Sequence, residues 1–169
     1  MRDKIINLSL SKMLTVCQIA EQLHINKNLV IQTFKEENSC LRYHLRVEYL
    51  GQGFQINATP LDGWFREIQI GGKMTLNWLN DCIQHVLGWD NAHCYIFIIR
   101  EKHYAYLDED DDFVVENVFE NHCSTKIPIY LLSLLENDRL IYNSDFGDNH
   151  LFRLTVSVIE SSAENVIPN

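Results

Sequence analysis

Two aspartates three positions apart, Asp145 and Asp148, bracket Phe146-Gly147. Carboxylates at that spacing can help hold a divalent cation. With His93 they would make the centre of a small metal-dependent hydrolase or nuclease. The same four residues also favour a tight turn, because Asp and Gly accept the backbone angles a turn needs, with Phe146 packed beneath it. The turn is the simpler reading. A kinase is excluded, since the glycine-rich loop, the strand lysine and the catalytic-loop signature are all missing.

A second group has zinc-ligand chemistry. Cys82 and His85 lie at i, i+3, and His93-Cys94 follow shortly after, four ligands of suitable type within thirteen residues. If His93 and Cys94 open a strand, however, their side chains leave on opposite faces, and Cys82 reads equally well as a small core residue. No metal site is therefore assigned. No cysteine or serine sits in a glycine-rich elbow or other nucleophile signature, so no catalytic residue and no cofactor is assigned either. Trp64, Trp78 and Trp89 could line a ligand pocket, but their bulk suits core or interface packing.

The N-terminal segment carries a different chemistry. Thr15-Val16-Cys17-Gln18 matches a capping box, and Ile19, Ala20 and Leu23 line one face of the helix it opens. His24-Ile25-Asn26 breaks that helix, and Asn26 can cap a second one carrying Leu29, Val30 and Phe34. Ala20 is small enough to let the two helices approach, with Ile25 and Val30 plugging the junction. The spacing resembles a DNA-binding helix-turn-helix. His24 stands where that motif commonly has glycine, and histidine tolerates the left-handed conformation better than most residues. The outer face of the second helix would present Lys27, Asn28, Ile31, Gln32 and Lys35. Amides can read adenine edges, and lysines can hold phosphates. Lys27, Asn28, Gln32 and Lys35 are the candidate DNA contacts. A helix over Asp3–Leu10 would complete a three-helix unit.

Charge supports that division. The 169 residues carry a net charge of −9. Residues 1–40 hold five basic and four acidic side chains, a balance of +1, and residues 41–169 hold nine and nineteen, a balance of −10. The acidic part repels phosphate backbones, so any nucleic-acid contact falls to the N-terminal part. The five cysteines are odd in number and irregularly spaced, which suits reduced thiols in a cytoplasm. No signal peptide is read at the N-terminus, and no apolar run approaches the roughly 20 residues that span a bilayer.

The elements that must position these residues follow from periodicity. Arg42–Leu50 alternates, with Tyr43, Leu45, Val47 and Tyr49 on one face, and predicts a strand. A short strand over Phe54–Asn57, another over Trp64–Ile70, and a buried strand over Tyr95–Ile99 returning through His103–Leu107 are expected. Leu76, Leu79, Ile83 and Val86 predict a helix capped by Thr75 and stopped at Gly88. Asp108–Asp112 reads as an acidic connector and Thr125–Leu135 as a second helix with Pro128 in its first turn. Leu140–Tyr142 and Leu151–Ile159 make a final hairpin. Without βαβ alternation, this pattern predicts an α+β fold, a largely antiparallel sheet with helices packed on one face. Three parts are expected: a helical unit over 1–38, the α+β domain over 41–160 and a tail over 161–169.

Residues 41–160 resemble the plasmid pRi ORF-three-like family, proteins found on plasmids and near transposases. The resemblance rests on the strand around Arg42–Leu50, then Trp64-Phe65-Arg66-Glu67-Ile68. It continues through Thr75-Leu76 to Gly88-Trp89, His93 and Phe97, and ends on Tyr142 with Asp145-Phe146-Gly147-Asp148. Where that family usually has a histidine in its long helix, this chain has Asn80. Where it usually has a tryptophan and a histidine after the last block, this chain has His150 and Phe152. The resemblance implies a fold and a mobile-element setting but no assigned activity. His93, Asp145 and Asp148 are the candidate family site, and since only His93 remains of three familiar histidines, a site built on those histidines would be lost or changed here. The reading that follows is a non-catalytic binding or regulatory protein that contacts DNA through residues 1–38 and protein partners or a second copy through the α+β domain. The hydrolase centred on Asp145, Asp148 and His93 is one rival. A protein-interaction module without nucleic acid is the other.

Overall fold

The computed structural model describes residues 1–12, 14, 16–53, 60, 63–105 and 122–161. Three helices come first, α1 (Arg2–Lys12), α2 (Val16–Leu23) and α3 (Lys27–Asn38), followed by strands β1 (Leu41–Gln52) and β2 (Phe65–Gly71). Helix α4 (Leu76–Leu87) precedes β3 (Tyr95–Ile99), β4 (Lys102–Ala105) and β5 (His122–Ser124). A 3-10 helix, Ile129–Leu132, then leads to β6 (Arg139–Ser144) and β7 (His150–Ser161). The strands form one sheet in the order β2-β1-β7-β6-β3-β4-β5. Every pair is antiparallel except β4 and the short β5. The fold is α+β, as the mixture of unalternated strands and helices predicts.

One face of the sheet carries the core. Tyr43, Leu45 and Val47 of β1 lie level with Leu154 and Val156 of β7, Leu140 and Tyr142 of β6, and Phe97 and Ile99 of β3. Leu76, Leu79 and Ile83 of α4 press onto them, joined by Ile129 and Leu132 of the 3-10 helix. Each fully buried aliphatic or aromatic side chain contributes roughly 1.5–3 kcal/mol, so the period-2 alternation of β1 meeting the 3.6-period stripe of α4 sets the fold. Helix α4 begins and ends as its sequence requires. The Thr75 side chain accepts from the Trp78 N–H, and Gly88 closes the helix at φ 71°, an angle that glycine adopts without steric cost.

The segment Thr125–Leu135 departs from expectation. Its apolar run predicts an α-helix, but only Ile129–Leu132 is helical, as a 3-10 turn. The reason is competition for backbone hydrogen bonds. Pro128 bridges to Thr75, the Ile129 N–H donates to Met74 O (2.8 Å) and the Tyr130 N–H donates to Gly72 O (2.8 Å). The carbonyls of Thr125 and Ile127 accept from Asn77 and Leu76, the unpaired amides at the start of α4. The segment serves as the N-terminal socket of α4 rather than as a helix of its own. The expected strand over Phe54–Asn57, the acidic connector and residues 162–169 of the tail lie outside the described residues.

Candidate functional site

The three N-terminal helices enclose their own apolar cluster, Ile5, Ile19, Ala20, Val30 and Phe34, with Ile25 and Leu23 partly covered at its edge. Between α2 and α3 the chain turns at His24, whose φ of 52° is the left-handed angle expected there. The Ile25 N–H closes the turn onto Ala20 O (3.0 Å), and the Asn26 side chain caps α3 by accepting from the Asn28 N–H (2.8 Å). Thr15 of the expected capping box lies outside the described residues. Leu29, expected on the packed face, is instead 45% exposed. It sits one residue before Val30, a rotation of about 100° around the helix, and only Val30 reaches the cluster.

Lys27, Asn28, Gln32 and Lys35 are all exposed on α3, away from that cluster. No acidic residue occupies the first turn of α3, so no carboxylate offsets the partial positive charge at its N-terminus, where the Asn28 backbone amide is already capped by Asn26. Glu36 lies beside this face and accepts a hydrogen bond from the Gln32 amide (2.8 Å). Arg2 of α1 pairs with Glu37, which takes that carboxylate out of competition.

At the far end of the sheet, the loop after α4 meets the β6–β7 turn. His93 Nδ1 lies 3.6 Å from Asp145 Oδ2, so two of the three residues implied by the family resemblance come together. Asp148 does not join them. Its carboxylate is 68% exposed and stands 3.9 Å from His150 Nε2. Asp145 has φ 57° and accepts from the Gly147 and Asp148 N–H groups (3.0 and 3.4 Å), which makes the four-residue block a side-chain-stabilised turn. Phe146, expected beneath the turn, is exposed on its tip.

His150 belongs to an aromatic cluster that single-residue reasoning missed. Its Nδ1 is 3.0 Å from the Tyr49 hydroxyl, and its ring stands 4.9 Å from Trp89. Phe152 packs against Tyr49, Trp64 and Trp89. The Tyr49 hydroxyl is pushed to higher pKa by burial and by the nearby Asp148. The signal that could have found this cluster is the pairing of β1 with β7, which sets Tyr49 opposite Phe152 and Gln52 opposite His150.

Asn80 is buried and closes a polar network. Its amide donates to Asn91 Oδ1 (2.7 Å), and its carbonyl accepts from the Tyr142 hydroxyl (2.7 Å). Gln84 donates to Tyr142 and Ser144, and Asn91 donates to Asp81. An amide has both the donor and the acceptor this network uses, whereas a neutral imidazole at the same place would offer one of each in a fixed ring. Cys82 is half-buried, and burial followed by the neighbouring Asp81 pushes its thiol pKa up, which disfavours the thiolate a zinc ligand needs. His85 and Cys94 are exposed. Among the described residues, no three His, Cys, Asp or Glu side chains converge where a metal ion could sit.

The family model for plasmid pRiA4b ORF-3-like protein matches residues 60–169, more than half of the chain. The chain belongs to this family. The matched span starts later than the resemblance read from residue 41, although β1 is paired with β2 and β7 inside the same sheet. No curated protein matches the sequence. Among solved structures, the chain is similar to a protein of unknown function, MM3350 from Methanosarcina mazei Go1. The identity is 20% and the TM-score 0.54, with 75% of this chain covered. This chain spans 64% of that longer protein. At that identity the likeness shows a shared fold. Among the described residues, no helix of this pRiA4b ORF-3-like protein is long and apolar enough to cross a membrane.

Proposed function

We propose that this pRiA4b ORF-3-like protein is a non-catalytic binding protein that contacts duplex DNA through α3 in a mobile-element setting. What supports the reading is the sidedness of α3. Val30 and Phe34 anchor it to α1 and α2, while Lys27, Asn28, Gln32 and Lys35 stand exposed on the other side. In this reading the lysines hold phosphates and fix the register, and Asn28 and Gln32 reach base edges in the major groove. The hydrolase alternative loses support from the exposure of Asp148 and its separation from the His93–Asp145 pair.

The test uses the full-length chain and fluorescence anisotropy on a pool of random duplexes across a salt series. Replacing Lys27 and Lys35 with alanine together should weaken binding to all sequences alike. It should also flatten the slope of log K against log salt by about 2, one unit for each phosphate no longer neutralised. Asn28→Ala and Gln32→Ala should leave the slope alone and, when duplexes selected from the pool by the protein are sequenced, relax the preference at one base pair each, by about 1–3 kcal/mol. An unchanged slope in the double lysine variant sinks the proposal.

A further inference from the structure

A cavity of about 240 Å³ lies where the N-terminal helices meet the β3–β4 hairpin. Val16 and Cys17, from the first turn of α2, form one wall; Ile99, Arg100, Lys102 and Tyr104 form the other. The rest of the lining is leucine and isoleucine. Ligand pockets for drug-sized molecules run from roughly 300 to 1,000 Å³, so this one suits something smaller.

The charge of the lining is one-sided. Among the described residues it holds two basic side chains and no carboxylate, in a chain with 23 acidic and 14 basic side chains. Arg100 is occupied: its guanidinium donates to Leu132 O (3.0 Å), Ser133 O (2.9 Å) and the Asp138 carboxylate. Its charge is thereby neutralised, and it serves as a fixed wall. Its Nε–H is buried without a partner among the described residues. Lys102 is different. It is half-buried at the pocket and forms no ion pair among the described residues. The first turn of α2 carries no acidic residue, so the positive end of that helix adds to the same sign of potential.

The hairpin that carries these cations is held in an unusual shape. Arg100 and Glu101 form its two-residue turn at φ 49° and 66°, where Asn-Gly is the unstrained choice. Ser133, which accepts from Arg100, is also left-handed at φ 46°. The hydrogen bonds of Arg100 hold this corner in place, and Lys102 is positioned by it as the first residue of β4.

We propose that this cavity binds a small apolar monocarboxylate. Its hydrocarbon part lies against the aliphatic lining between α2 and β3, and its carboxylate pairs with the Lys102 ammonium at the positive end of α2. Such a ligand bridges the helical unit and the sheet. The proposal is independent of the DNA reading.

The probes are hexanoate and benzoate, with hexanol and benzyl alcohol as neutral counterparts. Titration calorimetry on the full-length chain should find the acids bound at least about tenfold more tightly than the alcohols, since a neutral hydroxyl can accept a hydrogen bond from the ammonium but forms no ion pair with it. Lys102→Met should remove that difference, and Cys17→Trp, which fills the cavity from an exposed position, should abolish binding of both acids. A second readout is site-specific. Cys17 and Cys94 are both free and exposed, and saturating hexanoate should slow alkylation of Cys17 several-fold while leaving Cys94 unchanged, as read by peptide mass mapping. Equal binding of acids and alcohols would assign the cavity to neutral apolar ligands and overturn the proposal. So would absence of binding at millimolar concentrations, or binding that leaves Cys17 alkylation untouched.

Discussion

Tyr43 and Tyr142 are both completely buried on the core face of the sheet, yet removing the same oxygen atom from each should have opposite effects. The Tyr142 hydroxyl donates to Asn80 Oδ1 and accepts from Gln84 Nε2, both at 2.7 Å. Tyr142→Phe deletes two hydrogen bonds and leaves the Asn80 carbonyl buried without its partner, while Gln84 keeps Ser144. The expected cost is about 2–3 kcal/mol. The Tyr43 hydroxyl has no hydrogen-bond partner among the described residues. Tyr43→Phe removes a desolvated polar group that gains nothing, and should stabilise the protein by about 1 kcal/mol. Alkaline pH gives an independent check. Burial, and then the neighbouring Cys40, push the Tyr43 pKa up to about 12, against about 10 in an unfolded chain. Between these values the folded protein holds a proton that the unfolded chain releases, so stability is full below pH 10 and falls as pH rises towards 12. The slope reaches about 1.4 kcal/mol per pH unit, roughly 3 kcal/mol in all for Tyr43. Burial raises the Tyr142 pKa as well, so the wild type declines through both groups and Tyr43→Phe should decline less. Urea unfolding at pH 7 and again at steps from pH 9 to 12 measures both effects. If Tyr43→Phe destabilises as much as Tyr142→Phe, or leaves the alkaline decline unchanged, the reasoning from hydrogen-bond satisfaction is wrong.

Glu36 stands on the proposed DNA-contacting side of α3, holding the Gln32 amide. Glu36→Gln removes a charge that opposes phosphate and should tighten binding to random duplexes several-fold at low salt, with the gain fading as salt screens it; anisotropy reads both. His93 is 56% exposed and its contact to Asp145 is 3.6 Å, a pair of the exposed kind worth under about 1 kcal/mol. His93→Ala should therefore shift the urea midpoint little, whereas Asp145→Ala, which removes two backbone caps from the turn, should cost about 1 kcal/mol more.

The parts of this fold legible in the sequence are those whose causes are local. Helix α4 announces itself by Thr75, its apolar stripe and Gly88, and the turn before α3 by Asn26, because each cap is satisfied within a few residues. Strand β1 is legible because alternation survives whenever one face is buried. The segment Thr125–Leu135 reads wrongly as a helix because its hydrogen bonds go to residues 72–77, far away in sequence. The same limit governs the sites. The meeting of His93 with Asp145 came from family resemblance, not from spacing. The Tyr49–Trp89–His150 cluster depends on a register shift between Tyr49 and Gly51 in the β1–β7 pairing, which no local pattern encodes. Nor does any local signal join α2 to the β3–β4 hairpin around the cavity.

How the helical unit is attached bears on both proposals. Among the described residues its cluster has five buried members, and chains of about 38 residues usually need a further staple to fold. Tyr130 and Leu131 of the 3-10 helix pack against it, and the Asn38 amide donates to Tyr130 O (3.2 Å). The tightest point is Gly72. A Cβ there would stand 2.2 Å from Asn38 O, a clash with backbone at the end of α3 that no rotamer change relieves. The Gly72 N–H meanwhile donates to Leu41 O and its carbonyl accepts from Tyr130, so the residue cannot withdraw without breaking both. Gly72→Ala should therefore cost at least about 2–3 kcal/mol, at the upper end of overpacking penalties. In the wild type, helical circular dichroism and tyrosine–tryptophan fluorescence should report one coincident urea transition, because the helices and the sheet stabilise one another. In Gly72→Ala the share of the helical signal that comes from α1–α3 should be lost first, at lower urea than the sheet's aromatic core, with the share of α4 lost together with that core. Two separate transitions in the wild type would mean that the helices fold alone. In that case a ligand in the cavity between α2 and β3 could not influence the stability of α3 through the contacts described here.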